Sequence, residues 1–450
     1  MTSADVKWSW ERFTALNPAR RIFQNQLSPD SPVTSLTFPD ASTVLVKLAF
    51  PMGAIIKMFG TRYYMAIYPV EAEDKFDPKQ EMRGSGAWMM TKWEPSVGWN
   101  YERNPNWFRA QERPFLDGLR YTLIPDAATR EAQFLAKKLW ELPLGAVGPD
   151  QILALKRAQP EVDLLPSSPY IGQSGQNYWV PGRKPGSKWD AEVRLRHAFS
   201  MAIDRDAFID TVYNVSGLER EGVPMEVGWH SHVPTFWPQV WLNPRGKEFG
   251  ENAKYFSYNP DEAAKLLRAA GLYGFEETMH FASNGLFGGE KENSIAAAML
   301  NQNGLFKFTL RNTDYTTQYT PMIQSKGQFD GVASMPLGGW SDWDLAMWNT
   351  FTPSGRNDYV AHDTPELKEL MVAHRRELDP KKRLDIVHEW QRQMAKHMVV
   401  MPFPGAATAF GLAWPWMGNR GWFQPAGGGV PEQETLIHIW YDKEKDTSTG

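Results

Sequence analysis

Between Ser187 and Val215 the apolar positions recur at helical spacing. Val193, Leu195, Ala198, Phe199, Ala202 and Ile203 make one face. Ser187 and Asp190 form a cap signal, so a helix is predicted to open near Asp190. Glu192 and Arg196, four apart on the polar side, are expected to pair. Asp204 is placed to cap a second helix that buries Phe208, Ile209, Val212 and Tyr213.

The same reading extends along the chain. Residues 36–50 predict two strands about a turn at Pro39-Asp40, with Val44, Val46 and Leu48 alternating against Thr43, Lys47 and Ala49. Leu119, Tyr121 and Leu123 alternate as a strand, and Asp126 is placed to cap a helix through Phe134, Leu135 and Leu139. Pro149-Asp150 opens a helix that Pro160 ends. Residues 178–187 (YWVPGRKPGS) are rich in Pro and Gly and read as a crossover between lobes. Residues 222–244 read as a long irregular loop. Asn259 as N-cap, Pro260 at the first turn and Gly271 as stop bound a further helix. Helices are also predicted over 294–302 and 319–325 and from Thr364-Pro365 and Asp379-Pro380. Strands are predicted over 305–310, 329–333, 399–403 and 436–441.

Composition narrows the classes. A chain of 450 residues holds two or three domains. A formal net charge of −4 gives no footprint for nucleic acid or an anionic membrane. The absence of cysteine removes disulfides, thiolate metal sites and cysteine nucleophiles. Twenty tryptophans leave two readings: a Trp-heavy core, or an aromatic-lined cleft for a bulky ligand. No basic head followed by an apolar run appears at the N-terminus, so no signal sequence is read in this chain.

The wording of several stretches carries more than their periodicity. VRLRHAFSMAIDRDAFIDTVY (193–213), YFSYNPDEAAKLLRAAG (255–271) and RNPNWF (103–108) resemble, in this order, motifs of the extracellular solute-binding proteins of ABC importers, family 5. These are the dipeptide-, oligopeptide- and nickel-binding proteins. TSADVKWSWERF (2–13) is similar to a helix that lies well inside mature family members, so the chain is expected to begin late, with an incomplete first lobe. The resemblance implies an α/β, two-lobed periplasmic-binding-protein-like fold of the peptide-binding cluster. Its expected division is 1–84 as a partial extra subdomain of the first lobe, 85–180 as the first lobe, 181–408 as the second, and 409–450 as the return and tail. It also implies a periplasmic or extracytoplasmic monomer working with ABC permease subunits, with lipid anchoring left open.

By the same resemblance, Gly339, Trp340, Ser341, Asp342, Trp343 and Asp344 occupy the ligand-binding position. There the backbone pairs with a bound peptide as an added strand and one carboxylate receives its α-ammonium. Asp342 is the first candidate for that carboxylate, Asp344 the second. The segment is shorter than the family's and lacks its Asp-Pro. An oligosaccharide ligand is the rival reading, with Trp340, Trp343, Trp179 and Trp229 as stacking platforms. A Trp-lined sugar-active enzyme stands as the alternative from another class.

Enzymatic motifs fail on spacing. His388-Glu389 is followed by Arg392 where a zinc protease needs His. Gly172-Gln173-Ser174-Gly175 lacks the spacing of a nucleophile elbow. Gly84-Ser85-Gly86 has no third glycine for a dinucleotide. His230 and His232 could touch a metal but show no third ligand. Asp342 and Asp344, imagined on a strand as a glycosidase pair, stand too close for an inverting mechanism. No cofactor, metal or catalytic residue is expected.

Overall fold

The computed structural model describes residues 1–61, 64–143, 146–170, 177–285, 288–337, 342–355, 364–420 and 435–447. The chain opens with α1 (Ser3–Leu16), a single turn α2 (Arg20–Phe23), the antiparallel pair β1 (Val33–Thr37) and β2 (Leu45–Leu48), and α3 (Ile55–Phe59). At the head of α1 the Asp5 carboxylate accepts from the Thr2 backbone N–H at 2.6 Å. An antiparallel meander follows: β3 (Trp88–Glu94), β4 (Gly98–Arg103) and β5 (Gly118–Thr122), with Trp99 stacked on Tyr121 across the strands.

Next come α4 (Ala127–Leu135), β6 (Glu141–Leu142), α5 (Pro149–Ala158) and β7 (Asp163–Ser167). Asp126 caps α4 through the Thr129 N–H at 2.8 Å, as its position predicts. The chain then passes to β8 (Asn177–Pro181), α6 (Lys188–Ala191), α7 (Val193–Met201), α8 (Arg205–Tyr213), α9 (Val215–Arg220) and β9 (Val227–Trp229). After these run α10 (Pro260–Ala269), β10 (Phe275–Ala282), α11 (Glu290–Asn301), β11 (Phe306–Thr313), α12 (Thr320–Gln324) and β12 (Val332–Pro336). The last third holds α13 (Trp343–Phe351), α14 (Pro365–Arg376), α15 (Pro380–His397) and the short strands β13 (Met401–Pro402), β14 (Gly405–Ala407), β15 (Ala409–Ala413), β16 (Met417–Gly418) and β17 (Trp440–Tyr441).

Two sheets organise these elements. One is five-stranded in the order β11-β10-β12-β8-β13, with β10 parallel to β11 and β12, and β8 antiparallel to both its neighbours. The other is three-stranded in the order β6-β15-β7. The chain crosses between them twice, from β7 to β8 and from β13 through β14 to β15. The crossover expected over 178–187 is therefore corrected: the crossing precedes Asn177, and Tyr178–Pro181 lies inside a sheet. Tyr178 and Val180 face one core while Trp179 faces the other, so the strand is apolar on both sides and shows no alternation. Gly182 follows because a Cβ there would lie 2.0 Å from the Phe329 carbonyl oxygen.

On one face of the five-stranded sheet, α7, α8, α10 and α11 bury Phe199, Phe208, Leu267 and Leu300 against Trp179 and Met279. On the other, α13 and α15 join the N-terminal stretch in one cluster holding Phe13, Phe23, Met58, Trp343, Trp348 and Trp390. Trp179 and Trp189 lie in the first of these cores, Trp390 in the second, and Trp414 and Trp416 in a third cluster with Phe134 and Leu412, all at 1% exposure or less.

The helical pair forms with one change. Asp204 caps α8 through the Ala207 N–H at 3.0 Å, but the first helix breaks into α6 and α7 at Glu192, which is extended. Glu192 there caps α7 and binds Arg194. Arg196 is buried instead of paired: its guanidinium donates to the carbonyls of Trp189, Asp190 and His397. The expected last strand shrinks to Trp440–Tyr441, because Leu436, Ile437 and Ile439 are buried from a turn rather than from an extended segment.

Candidate functional site

Of the six residues expected to bind ligand, Gly339, Trp340 and Ser341 lie outside the described residues. The other three begin α13, and Asp342 and Asp344 stand on a helix start instead of a strand. Asp342 is its N-cap, accepting from the Asp344 N–H at 2.9 Å. Its other oxygen accepts from the Lys57 ammonium of α3 at 3.0 Å, and the Arg383 guanidinium of α15 lies 3.7 Å away. The Lys57 side chain remains 59% exposed. A primary ammonium thus already rests on the carboxylate that the sequence assigns to a ligand ammonium.

Asp344 points inward and is fully buried. Arg375 of α14 donates to it from Nη2 at 2.9 Å and from Nε at 3.2 Å. The same guanidinium lies 3.9 Å from the Trp348 ring centroid and donates to the Asp30 carbonyl at 3.2 Å. His374 Nδ1 stands 3.6 Å from Asp344, an electrostatic neighbour beyond hydrogen-bond reach. Burial alone would raise the Asp344 pKa. Burial is the largest single influence, but the Arg375 charge and hydrogen bonds together with His374 outweigh it and hold the carboxyl well below the usual carboxylate range. Trp343 is 2% exposed and meets Trp237 and Trp390 edge to face. Trp179 stacks on Phe403 inside the second core. Neither ring offers a face to a sugar.

A second feature was not read from the sequence. Where β8 begins and β12 ends, at the Asn177–Pro336 pair, there is a cavity of about 80 Å³. Asn177, Tyr213, His230, Glu292, Phe403 and Gly405 are among its lining residues. The Asn177 Oδ1 is buried without a hydrogen-bond partner. Burial pushes the Tyr213 phenol up to about 12, with Glu292 adding to it, and pushes His230 down to about 3, so both rings are neutral at pH 7. An orphan acceptor beside a carboxylate favours a group rich in donors. Nothing in the sequence marks this spot, since its residues come from five separate stretches of chain.

His230 and His232 do not form a metal pair. His232 Nε2 contacts the Val400 carbonyl at 3.0 Å, and His230 Nδ1 accepts from the Thr235 N–H at 3.3 Å. Among the described residues no group of three or more His, Asp or Glu gathers as a metal site. No helix of the described residues is long and apolar enough to cross a membrane.

Comparison with known proteins bears on the family and the fold. The family described as "Bacterial extracellular solute-binding proteins, family 5 Middle" matches residues 1–358. The oligopeptide-binding protein AppA of Bacillus subtilis is 26% identical over 199 residues, 44% of this chain and 31% of that protein. The matches cover between 31% and 46% of the length of the curated relatives. Among solved structures, the periplasmic binding protein AgaA of A. tumefaciens R10, in complex with agropinic acid, aligns with a TM-score of 0.74 at 19% identity, covering 98% of this chain and 83% of that one. The periplasmic binding protein DppA of Helicobacter pylori, in complex with the peptide STSA, aligns at 0.74 and 16% identity, covering 98% and 82%. These likenesses carry the fold: a two-lobed periplasmic binding protein.

Proposed function

Because the chain belongs to the family 5 bacterial extracellular solute-binding proteins, we propose that it captures a peptide-like solute between two lobes and delivers it to an ABC permease. The family match over residues 1–358 carries this reading, and the peptide ligands named for AppA and DppA supply the solute class. The protein acts by binding and closure, outside the cytoplasm and as a monomer, with no covalent step. The second lobe runs from β8 at residue 177 to 408, the boundary falling before that strand, and the chain returns to the first lobe from 409.

In this reading residues 339–344 supply the ligand contacts, Asp342 first among them. Asp342 takes the ligand ammonium after Lys57 leaves. That exchange is cheap, because an ion pair with one partner largely in water is worth about 1 kcal/mol or less. Native mass spectrometry of the gently purified chain tests the proposal. Adducts that fragment as peptides support it, whereas adducts spaced by a sugar unit overturn the solute class. With a bound peptide in hand, Asp342→Asn should weaken binding and Lys57→Ala should strengthen it. Unchanged affinity in both variants removes Asp342 from the site.

A further inference from the structure

We propose that a cavity between the 27–30 segment and helices α13–α15 binds a small amphipathic carboxylate, at a site separate from the solute position above. The cavity measures about 270 Å³. Scaled from benzene in a cavity of ~150 Å³, it holds a ligand of roughly ten heavy atoms. Trp348, Phe351, Met371, Trp390 and Met394 give it an apolar wall.

Two features of the lining ask for an oxygen acceptor. The Trp390 indole N–H and the Thr364 hydroxyl are both buried without a hydrogen-bond partner, in residues 1% and 6% exposed. A donor left unmade in such a place is costly, and a carboxylate oxygen would satisfy it. The charge of the lining points the same way. Arg21 and Lys368 are exposed, and among the described residues neither side chain makes an ion pair or hydrogen bond. Asp30, the acid of the lining, is already neutralised by Arg376 at 3.3 Å. An apolar wall, two orphan donors and two free cations describe a fatty or aromatic acid rather than a peptide. The cavity shares no lining residue with the Asn177 cavity and includes none of Asp342, Trp343 or Asp344.

The test is isothermal titration of the full chain with octanoate, a probe of roughly ten heavy atoms, and with octanol as its uncharged counterpart. Octanoate is expected to bind one to one, about tenfold or more tighter than octanol. The double variant Arg21→Glu, Lys368→Glu changes only exposed side chains. It should erase the preference for octanoate while leaving octanol binding and the thermal midpoint in place. Thr364→Val, which keeps the shape and removes the donor, should weaken octanoate alone. Absence of octanoate binding at millimolar concentration overturns the proposal. So does an octanoate affinity indifferent to the charge reversal. Displacement of a co-purified peptide by octanoate also overturns it, by placing the acid in the solute site.

Discussion

Replacing Asp344 by Asn tests how α13 is held against α14. The change removes one charge and keeps the shape. Arg375, 1% exposed, then keeps its positive charge with no counter-charge bonded to it, facing only neutral groups: the new amide oxygen, the Trp348 ring and the Asp30 carbonyl. Breaking one side of a buried ion pair costs about 3–5 kcal/mol, because the other charge stays desolvated and unpaired. With a urea m-value of about 3 kcal/mol per molar, the unfolding midpoint should fall by about 1–1.7 M. The companion variant Arg375→Met strands the carboxylate instead and should cost a similar amount. The double variant Asp344→Leu, Arg375→Met should cost much less than the sum, because it removes both charges from the interior. Equilibrium urea unfolding at pH 7, followed by tryptophan fluorescence, measures all four proteins. If Asp344→Asn unfolds within about 1 kcal/mol of the parent at an unchanged m-value, the pair does not hold α13 and the reasoning fails.

Three further outcomes follow from the same packing. His230 and His232 are buried and neutral, with pKa values pushed down to about 3 by burial. Below about pH 6.5 the unfolded chain therefore binds protons that the folded chain refuses, and each histidine removes ~1.4 kcal/mol of stability per pH unit down to its folded value. Urea curves from pH 7.5 to 5 should show that slope, and a flat profile contradicts the burial. Asn293→Ala leaves the Trp179 indole N–H, now bonded to the Asn293 side chain at 3.0 Å, without an acceptor, at a cost of ~1–3 kcal/mol in the same assay. Gly182→Ala puts a Cβ 2.0 Å from the Phe329 carbonyl oxygen and should cost more than any surface change, read as a lower thermal midpoint or loss of soluble protein.

Local signals were legible in the sequence. Asp126, Asp204 and Asn259 cap the helices they were expected to cap, and Asp379 caps the helix expected from Asp379-Pro380, because an N-cap bond spans only three residues and its chemistry is written in place. Gly271, at φ +69, ends α10 for the same reason. What failed was decided by distant chain. Arg196 looks like a partner for Glu192 until His397, 201 residues away, offers its carbonyl. Strand β8 looks like a linker because Pro181 ends it and Gly182, Pro185 and Gly186 follow, and only the two cores that cover it make it a strand. The Lys57–Asp342 pair joins positions 285 residues apart, beyond any local pattern.

That pair also changes what the candidate site can select. A bare carboxylate at residue 342 would attract any cation. A carboxylate already carrying Lys57, with Arg383 nearby, accepts only a partner that replaces the lysine and brings contacts of its own. A free ammonium ion brings none. In the reading proposed above a peptide brings further contacts of its own, so the exchange favours the extended ligand over the simple ion. All nine residues of α13 are buried, and the Asp344–Arg375 pair fixes its first turn. Asp342 caps that helix and is tied to it through the Asp344 N–H. In the proposed reading, selection falls to the other end of the contact, the 59% exposed Lys57 side chain.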